Sequence, residues 1–273
     1  MVSDAMTTSA PSGFAGLLGR HRELTWELTK RDLTDRHAGQ WIGAGWSVIH
    51  LLALVGIYLF VFAAVLKVRL GADAPGDYGL YVLAGLIPWL AFYDVMTRSC
   101  AAVSAQATLV KQIVFPVEVL PLKTALTSVL FQLIGLVVLL LYAVLAHGSL
   151  PVTVAWVPVL MVMQFIAMVG VAFLISAIAV FVRDLKDAIQ LFGMIGALIL
   201  PVFYLPEWVP ALARPVLTVN PFSHLVWCYQ DAIFYGAIRH PVSWIVFPLF
   251  AAAAITIGWR VFRYLKPWFG NVL

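Results

Sequence analysis

Six apolar blocks run through this chain, at residues 42–66, 80–102, 119–146, 154–182, 188–204 and 242–262. Each is near the ~20 residues that a helix needs to cross a bilayer. Soluble domains carry roughly 25% charged residues and 45–50% apolar ones. This chain of 273 residues has 11% and 63%. A soluble core of that length cannot hide so much apolar surface, so lipid must cover it. No polar stretch is long enough for a second, soluble domain. In hydrocarbon the backbone must satisfy its own hydrogen bonds, which makes each block a helix. The expectation is an all-α membrane protein with six transmembrane helices.

A further apolar piece, residues 209–235, cannot be one more span. Pro206, Pro210, Pro215 and Pro221 interrupt it and its approach, and proline both removes a backbone donor and clashes with the preceding turn. Before the first block, residues 20–39 read RHRELTWELTKRDLTDRHAG. Leu24, Trp26 and Leu28 stand on one side, with Arg22, Lys30, Arg31 and Asp32 among the polar positions. That pattern suits a helix lying in the membrane interface, with a solvated linker as the alternative. Residues 1–19 are rich in Ser, Thr, Ala and Gly and are expected to be disordered. They lack a cationic stretch before an apolar core, so no cleaved signal peptide is expected.

Cation placement sets orientation. With the N-terminus inside, the inner side receives Arg20, Arg22, Lys30, Arg31, Arg36, Lys111, Lys123, Arg183, Lys186, Arg260, Arg263 and Lys266; the outer side receives Lys67, Arg69, Arg214 and Arg239. Both termini are therefore expected in the cytoplasm. The loops at 104–118 and 183–187 then face the cytoplasm, and the proline-rich stretch at 205–241 faces outward. Aromatics crowd that outer side (Tyr204, Trp208, Phe222, Trp227, Tyr229, Phe234, Tyr235, Trp244), as an interfacial belt would.

No catalytic constellation stands out. The six histidines are scattered without a metal-binding spacing, and neither a Walker A motif nor a GxSxG elbow is present. Cys100 and Cys228 form no CxxC pair, so they read as packing residues. Within the second block, Asp94 and Arg98 are four apart on one helix face, with Trp89 and Tyr93 nearby. Charges at the bilayer centre cost roughly 2.5–3.5 kcal/mol on insertion scales, so they face protein or water. The pair either borders a translocation path or sits near the inner interface, where Arg98 snorkels.

Three segments carry a family resemblance. LTKRDLTDRHAGQWIGAGW (residues 28–46) looks like the basic interfacial helix entering the first span of ABC type-2 permeases. LVKQIVFPVEVLPL (residues 109–122) resembles the K…FP.E.LP loop of bacterial polysaccharide-export permeases of the O-antigen and capsule type, with teichoic-acid exporters more distant. NPFSHLVWCYQDAIFYG (residues 220–236) resembles their Asn-Pro segment before the last span, with Gln230 where a basic residue is common.

The resemblance implies a domain over residues 40–265, a pair of short re-entrant helices at about 205–235, and a cytoplasmic end at 266–273. It implies a permease of the bacterial inner membrane, working as a homodimer with two separate ATPase subunits and moving a lipid-linked polysaccharide among membrane lipids. ATP and Mg would sit on the partner ATPase, with no cofactor or metal in this chain, and no nucleic acid would be involved. Lys111, Phe115, Pro116 and Glu118, with Arg183, Asp184 and Lys186, become candidates for ATPase coupling. Trp89, Tyr93, Asp94, Arg98, Asn220 and Pro221 become candidates for the path or its gate. Two other readings stay open here: an ABC type-2 permease for a small lipid or drug, and a membrane-embedded enzyme of glycolipid metabolism.

Overall fold

The computed structural model describes residues 21–35, 45–61, 77–112 and 115–273, and all regular structure among them is helical. The helices are α1 (Arg22–Asp35), α2 (Gly45–Leu59), α3 (Tyr78–Ala102), α4 (Ala107–Gln112), α5 (Val119–His147), α6 (Val157–Ala179), α7 (Leu185–Ile199), α8 (Arg214–Val219), α9 (Pro221–Gln230), α10 (Ser243–Leu265) and α11 (Phe269–Val272). The expected disordered start at 1–19 and the ends of the interface segment, 20 and 36–39, lie outside the described residues, as do 42–44 and 62–66 of the first block.

Among the described residues, four helical stretches are long and apolar enough to cross a bilayer: Tyr78–Ala102, Val119–His147, Val152–Ala179 and Ser243–Val272. These match the second, third, fourth and sixth blocks. The helices described in the other two have 15 residues each, or about 22 Å at 1.5 Å per residue. The fifth block departs from expectation in its bounds. Its helix begins at Leu185 and stops at Ile199, and Leu200 is extended, with ψ 151°. Leu200 precedes Pro201, and the residue before proline is sterically driven out of the helical region.

The element α3 lies at the centre. In its most apolar stretch 83% of residues are buried, against 28% in α5 and 22% in α10. It packs on α5, α6, α7 and α9. Pro88 interrupts its backbone ladder, which burial between helices makes tolerable. The tightest pairing is α6 with α10, which approach backbone to backbone. A Cβ built on Gly258 would collide with the Gly170 carbonyl, and one on Gly170 with the backbone of Ala254 and Ile255. Such small-residue crossings are how helices bind one another when lipid removes the usual hydrophobic drive.

The outer proline-rich stretch is broken as expected. α8 ends at Val219, and α9 starts where the Asn220 side chain accepts from the Phe222 N–H at 3.0 Å with Pro221 in the first turn. A single π turn, Asp231–Tyr235, follows and ends at Gly236 with φ 66°, a left-handed conformation that glycine adopts without steric cost. Every residue of α9 from Ser223 to Gln230 is buried, wedged between α3 and α10.

The outer aromatics are therefore not a belt facing lipid. Trp227, Tyr229 and Phe234 are buried, and of the eight only Trp208 is largely exposed, at 52%. The buried three pack α9 and the turn after it against the bundle. α1 meets the bundle through small side chains. Its buried residues are Thr25 and Thr29, while Trp26 is 46% exposed. One turn apart, the two threonines let α1 lie close on α5.

Candidate functional site

At one end of the bundle, the end with the loops expected in the cytoplasm, charged side chains join elements distant in sequence. Asp32 of α1 pairs with Arg98 of α3, and Lys123 of α5 lies 3.6 Å from its other carboxylate oxygen. Close by on α3, Asp94 accepts from the Ser128 hydroxyl of α5. Arg98 is thus held at the junction of α1, α3 and α5, and Asp94 faces α5 rather than lipid. Arg22 and Arg31 are exposed on α1. Lys30 pairs with Glu27 at 2.8 Å and lies 5.7 Å over the Trp26 ring.

The FPVE turn follows α4. Its backbone is already closing into a helix: Val119 and Leu120 donate to the carbonyls of Pro116 and Val117, at 3.0 and 3.1 Å. Phe115 is half-buried against the core and Pro116 is half-buried, while Lys111 stands exposed. Glu118 is buried, and its carboxylate takes a 2.6 Å hydrogen bond from Lys266. The second inner turn carries Arg183, Asp184 and Lys186, all exposed. There the Asp184 carbonyl accepts from Asp187 and Ala188, both at 3.1 Å, and so starts α7.

Midway along the bundle a polar network crosses four helices. Gln132 of α5 donates to Gln164 of α6 at 2.8 Å and to Tyr229 of α9 at 3.1 Å; Gln164 donates to the Pro88 carbonyl of α3 at 3.0 Å. Beside it is an aromatic cluster. The Trp89 ring meets Phe192 and Phe222 edge-on at 5.7 and 5.4 Å, and Phe222 meets Phe92 and Phe250 at 5.0 and 5.6 Å. α7 docks on this cluster through two glycines. A Cβ at Gly193 would strike the Tyr93 ring, and one at Gly196 the Trp89 ring. Of the six candidate path residues, Trp89 and Tyr93 thus sit together under α7. Asp94 and Arg98 lie further along α3, and Asn220 with Pro221 forms the start of α9.

At the opposite end, the non-helical backbone after α7 has its carbonyls answered by side chains. The Tyr78 hydroxyl donates to Phe203, Tyr81 to Pro201 and Tyr204 at 3.2 and 3.0 Å, and Gln230 to Pro201 at 3.0 Å. Without water those carbonyls would otherwise be costly. Asp77 caps α3 through the Leu80 N–H at 2.7 Å and accepts from Tyr142 at 2.5 Å. Fully buried Asp231 accepts from the His240 and Trp244 N–H groups at 3.0 and 3.1 Å, and the His240 Nδ1 is 2.8 Å from its second oxygen. Among the described residues no group of three or more His, Cys, Asp or Glu side chains is placed to hold a metal ion.

Several of these ties escape sequence reasoning. Gln132 and Gln164 were visible as lone amides inside apolar runs. The partners of Arg98 and Glu118, by contrast, lie 66 and 148 residues away in the chain, beyond any spacing rule.

A helical bundle with four apolar stretches long enough to cross a bilayer among its described residues, and with ion pairs gathered toward its two ends, is a polytopic membrane protein. Residues 23–234 match the model of the ABC-2 type transporter family. The chain belongs to that family, whose members are transport proteins rather than enzymes. Among curated proteins it is similar to two Klebsiella pneumoniae proteins named O-antigen export system permease protein RfbA. The first is 27% identical over 260 residues, covering 94% of this chain and 97% of the relative. The second is 26% identical over 259 residues, with the same coverage. A Myxococcus xanthus protein of that name is 27% identical over 243 residues, covering 88% of this chain and 89% of its own length.

Proposed function

We propose that this chain is the membrane-spanning permease of an ATP-driven exporter. It moves a lipid-linked polysaccharide of the O-antigen or capsule type from cytoplasm to periplasm, working as a homodimer in the bacterial inner membrane. The observation that carries this reading is the similarity, over 94% of the chain, to permeases named for O-antigen export. Two ATPase subunits bind below, carrying the ATP and Mg. α2 and α7 complete a set of six spans, both termini are cytoplasmic, and α8 and α9 re-enter the membrane from outside. One chain of six spans is too small to enclose a sugar polymer, so two copies form the path.

In this reading the ATPase presses on residues 111–120 and on the turn at 183–187. Phe115 is the apolar anchor, Pro116 stiffens the turn, and Lys111 with Arg183, Asp184 and Lys186 presents charge to the partner. Trp89 and Tyr93 become path-lining when α7 withdraws from them, and Asn220 with Pro221 hinges the outer cap. Aromatic faces suit a moving polymer because stacking on sugar rings is weak and tolerant of sequence. Asp94 and Arg98 form the inner end of the route. Arg22, Lys30 and Arg31 hold α1 among lipid headgroups.

The test is deletion of this chain in its host, followed by surface-glycan analysis and extraction of lipid-linked intermediates. Loss of surface polymer, with lipid-linked polymer accumulating inside and restoration by the cloned chain, is expected. Unchanged surface polysaccharide would overturn the reading.

A further inference from the structure

The segment just after the last span makes contacts that the proposed mechanism has not used. α10 ends at Leu265, and Lys266–Trp268 forms a short 3-10 turn with Pro267 inside it. The chain then re-enters helix at α11. Two side chains project from this segment in different directions. Lys266 donates to buried Glu118 in the FPVE turn at 2.6 Å. Phe269 is buried, its ring 5.4 Å from Phe262 of α10 and 6.2 Å from Phe181, which lies just beyond α6 at the approach to the second inner turn. α11 also touches α4, the element preceding the FPVE turn. One short rigid segment thus grips the first inner loop by an ion pair and the approach to the second by an aromatic contact, and both grips are continuous with the last span.

We propose that residues 266–272 are a clasp that ties the two cytoplasmic loops to α10, with Lys266 and Phe269 as positioning residues for the coupling turn. This rests on the reading that residues 111–120 receive the ATPase thrust. Glu118 then does not reach for a basic group on the ATPase: its carboxylate is spent within the chain. Displacement of the FPVE turn drags Lys266, and with it α10. Because α10 crosses α6 in backbone contact at Gly170 and Gly258, the movement enters the pair of helices least able to slide apart. A turn attached only to α5 would move only α5.

The test measures ATP hydrolysed per polymer exported, in vesicles holding this chain with its ATPase. Lys266→Glu and Glu118→Lys each place like charges against each other. Each is expected to raise that ratio at least tenfold while membrane abundance and ATPase co-purification stay at wild-type levels. The exchange Glu118→Lys with Lys266→Glu restores the pair and is expected to bring the ratio back to within about twofold of wild type. A merely stabilising pair would alter abundance and leave the ratio unchanged. Normal coupling by Lys266→Glu, or no recovery in the exchange, overturns the clasp.

Should the charge variants fail to accumulate, Glu118→Cys with Lys266→Cys, joined by a short bis-maleimide, supplies the second measurement. The joined protein is expected to export and the unjoined one to be uncoupled; a joined protein that does not export overturns the proposal. Phe115→Ala separates the two readings. If it exports normally, the loop is not the coupling element. If it is dead while Lys266→Glu is normal, only the clasp falls.

Discussion

Asp32 answers two cations, Arg98 and Lys123, from a helix that precedes both by more than sixty residues. All three side chains are mostly shielded. Asp32→Ala therefore strands two half-buried cations, which is expected to cost about 1–3 kcal/mol, read as a lower melting temperature in detergent. Asp32→Ala combined with Arg98→Leu should lose less than the sum of the single changes, since the partners share one interaction. Gln164→Leu tests the mid-bundle network. It removes the donor to the Pro88 carbonyl and the acceptor for Gln132, at an expected cost of about 0.6–2 kcal/mol. In sequence, the break in the backbone at Pro221 was legible, because proline's loss of a donor is a local property of one residue. So was the conflict posed by Arg98, a cation in an apolar run. Its resolution by Asp32 was not, because pairing between helices depends on packing that no spacing encodes.

At the scale of elements, apolar length and proline position were sufficient for the four long spans and for the break at 205–221. The fifth helix was misplaced by several residues because hydropathy continues through Pro201 while the backbone does not. On α1 the contact with α5 runs through two threonines and an ion pair, which the apolar pattern of that helix does not point to. The outer aromatics carried no sign of which way they face, since rings suit both a lipid interface and a core. Glycine contacts make the sharpest prediction at this scale. Gly258→Leu drives a side chain into the Gly170 backbone, where no rotamer relieves the clash. Overpacking typically costs about 1–3 kcal/mol, and backbone on the opposing side places this site at the upper end. Loss of membrane abundance is expected. Gly193→Leu meets a ring rather than backbone, so it should displace α7 from Tyr93 while sparing insertion and abundance. Export, if α7 gates the path, should fall.

For the whole molecule, topology and assembly are the quantities to measure. In a background with Cys100 and Cys228 replaced, a cysteine at position 112 should resist an impermeant thiol reagent in intact cells. One at Leu212, 94% exposed on the outer segment, should react. The reverse result would invert the orientation. Native mass measurement in lipid should give two copies of this chain, and a monomer with full transport would refute the dimer. The apolar stripe Leu133, Val137, Leu141 and Leu145, exposed along α5, must meet lipid or the second copy. The contact at Gly170 and Gly258 also has a mechanical meaning. Two packed rods rock about their point of closest backbone approach like the blades of scissors. Gly170 stands 9 residues from the end of α6 and 13 from its start, arms of about 14 and 20 Å at 1.5 Å per residue. In the proposed orientation the longer arm points outward. Under the proposed mechanism, a squeeze delivered at the cytoplasmic handles would reappear at the periplasmic tips magnified by about one and a half times, so a modest stroke from below would part the exit.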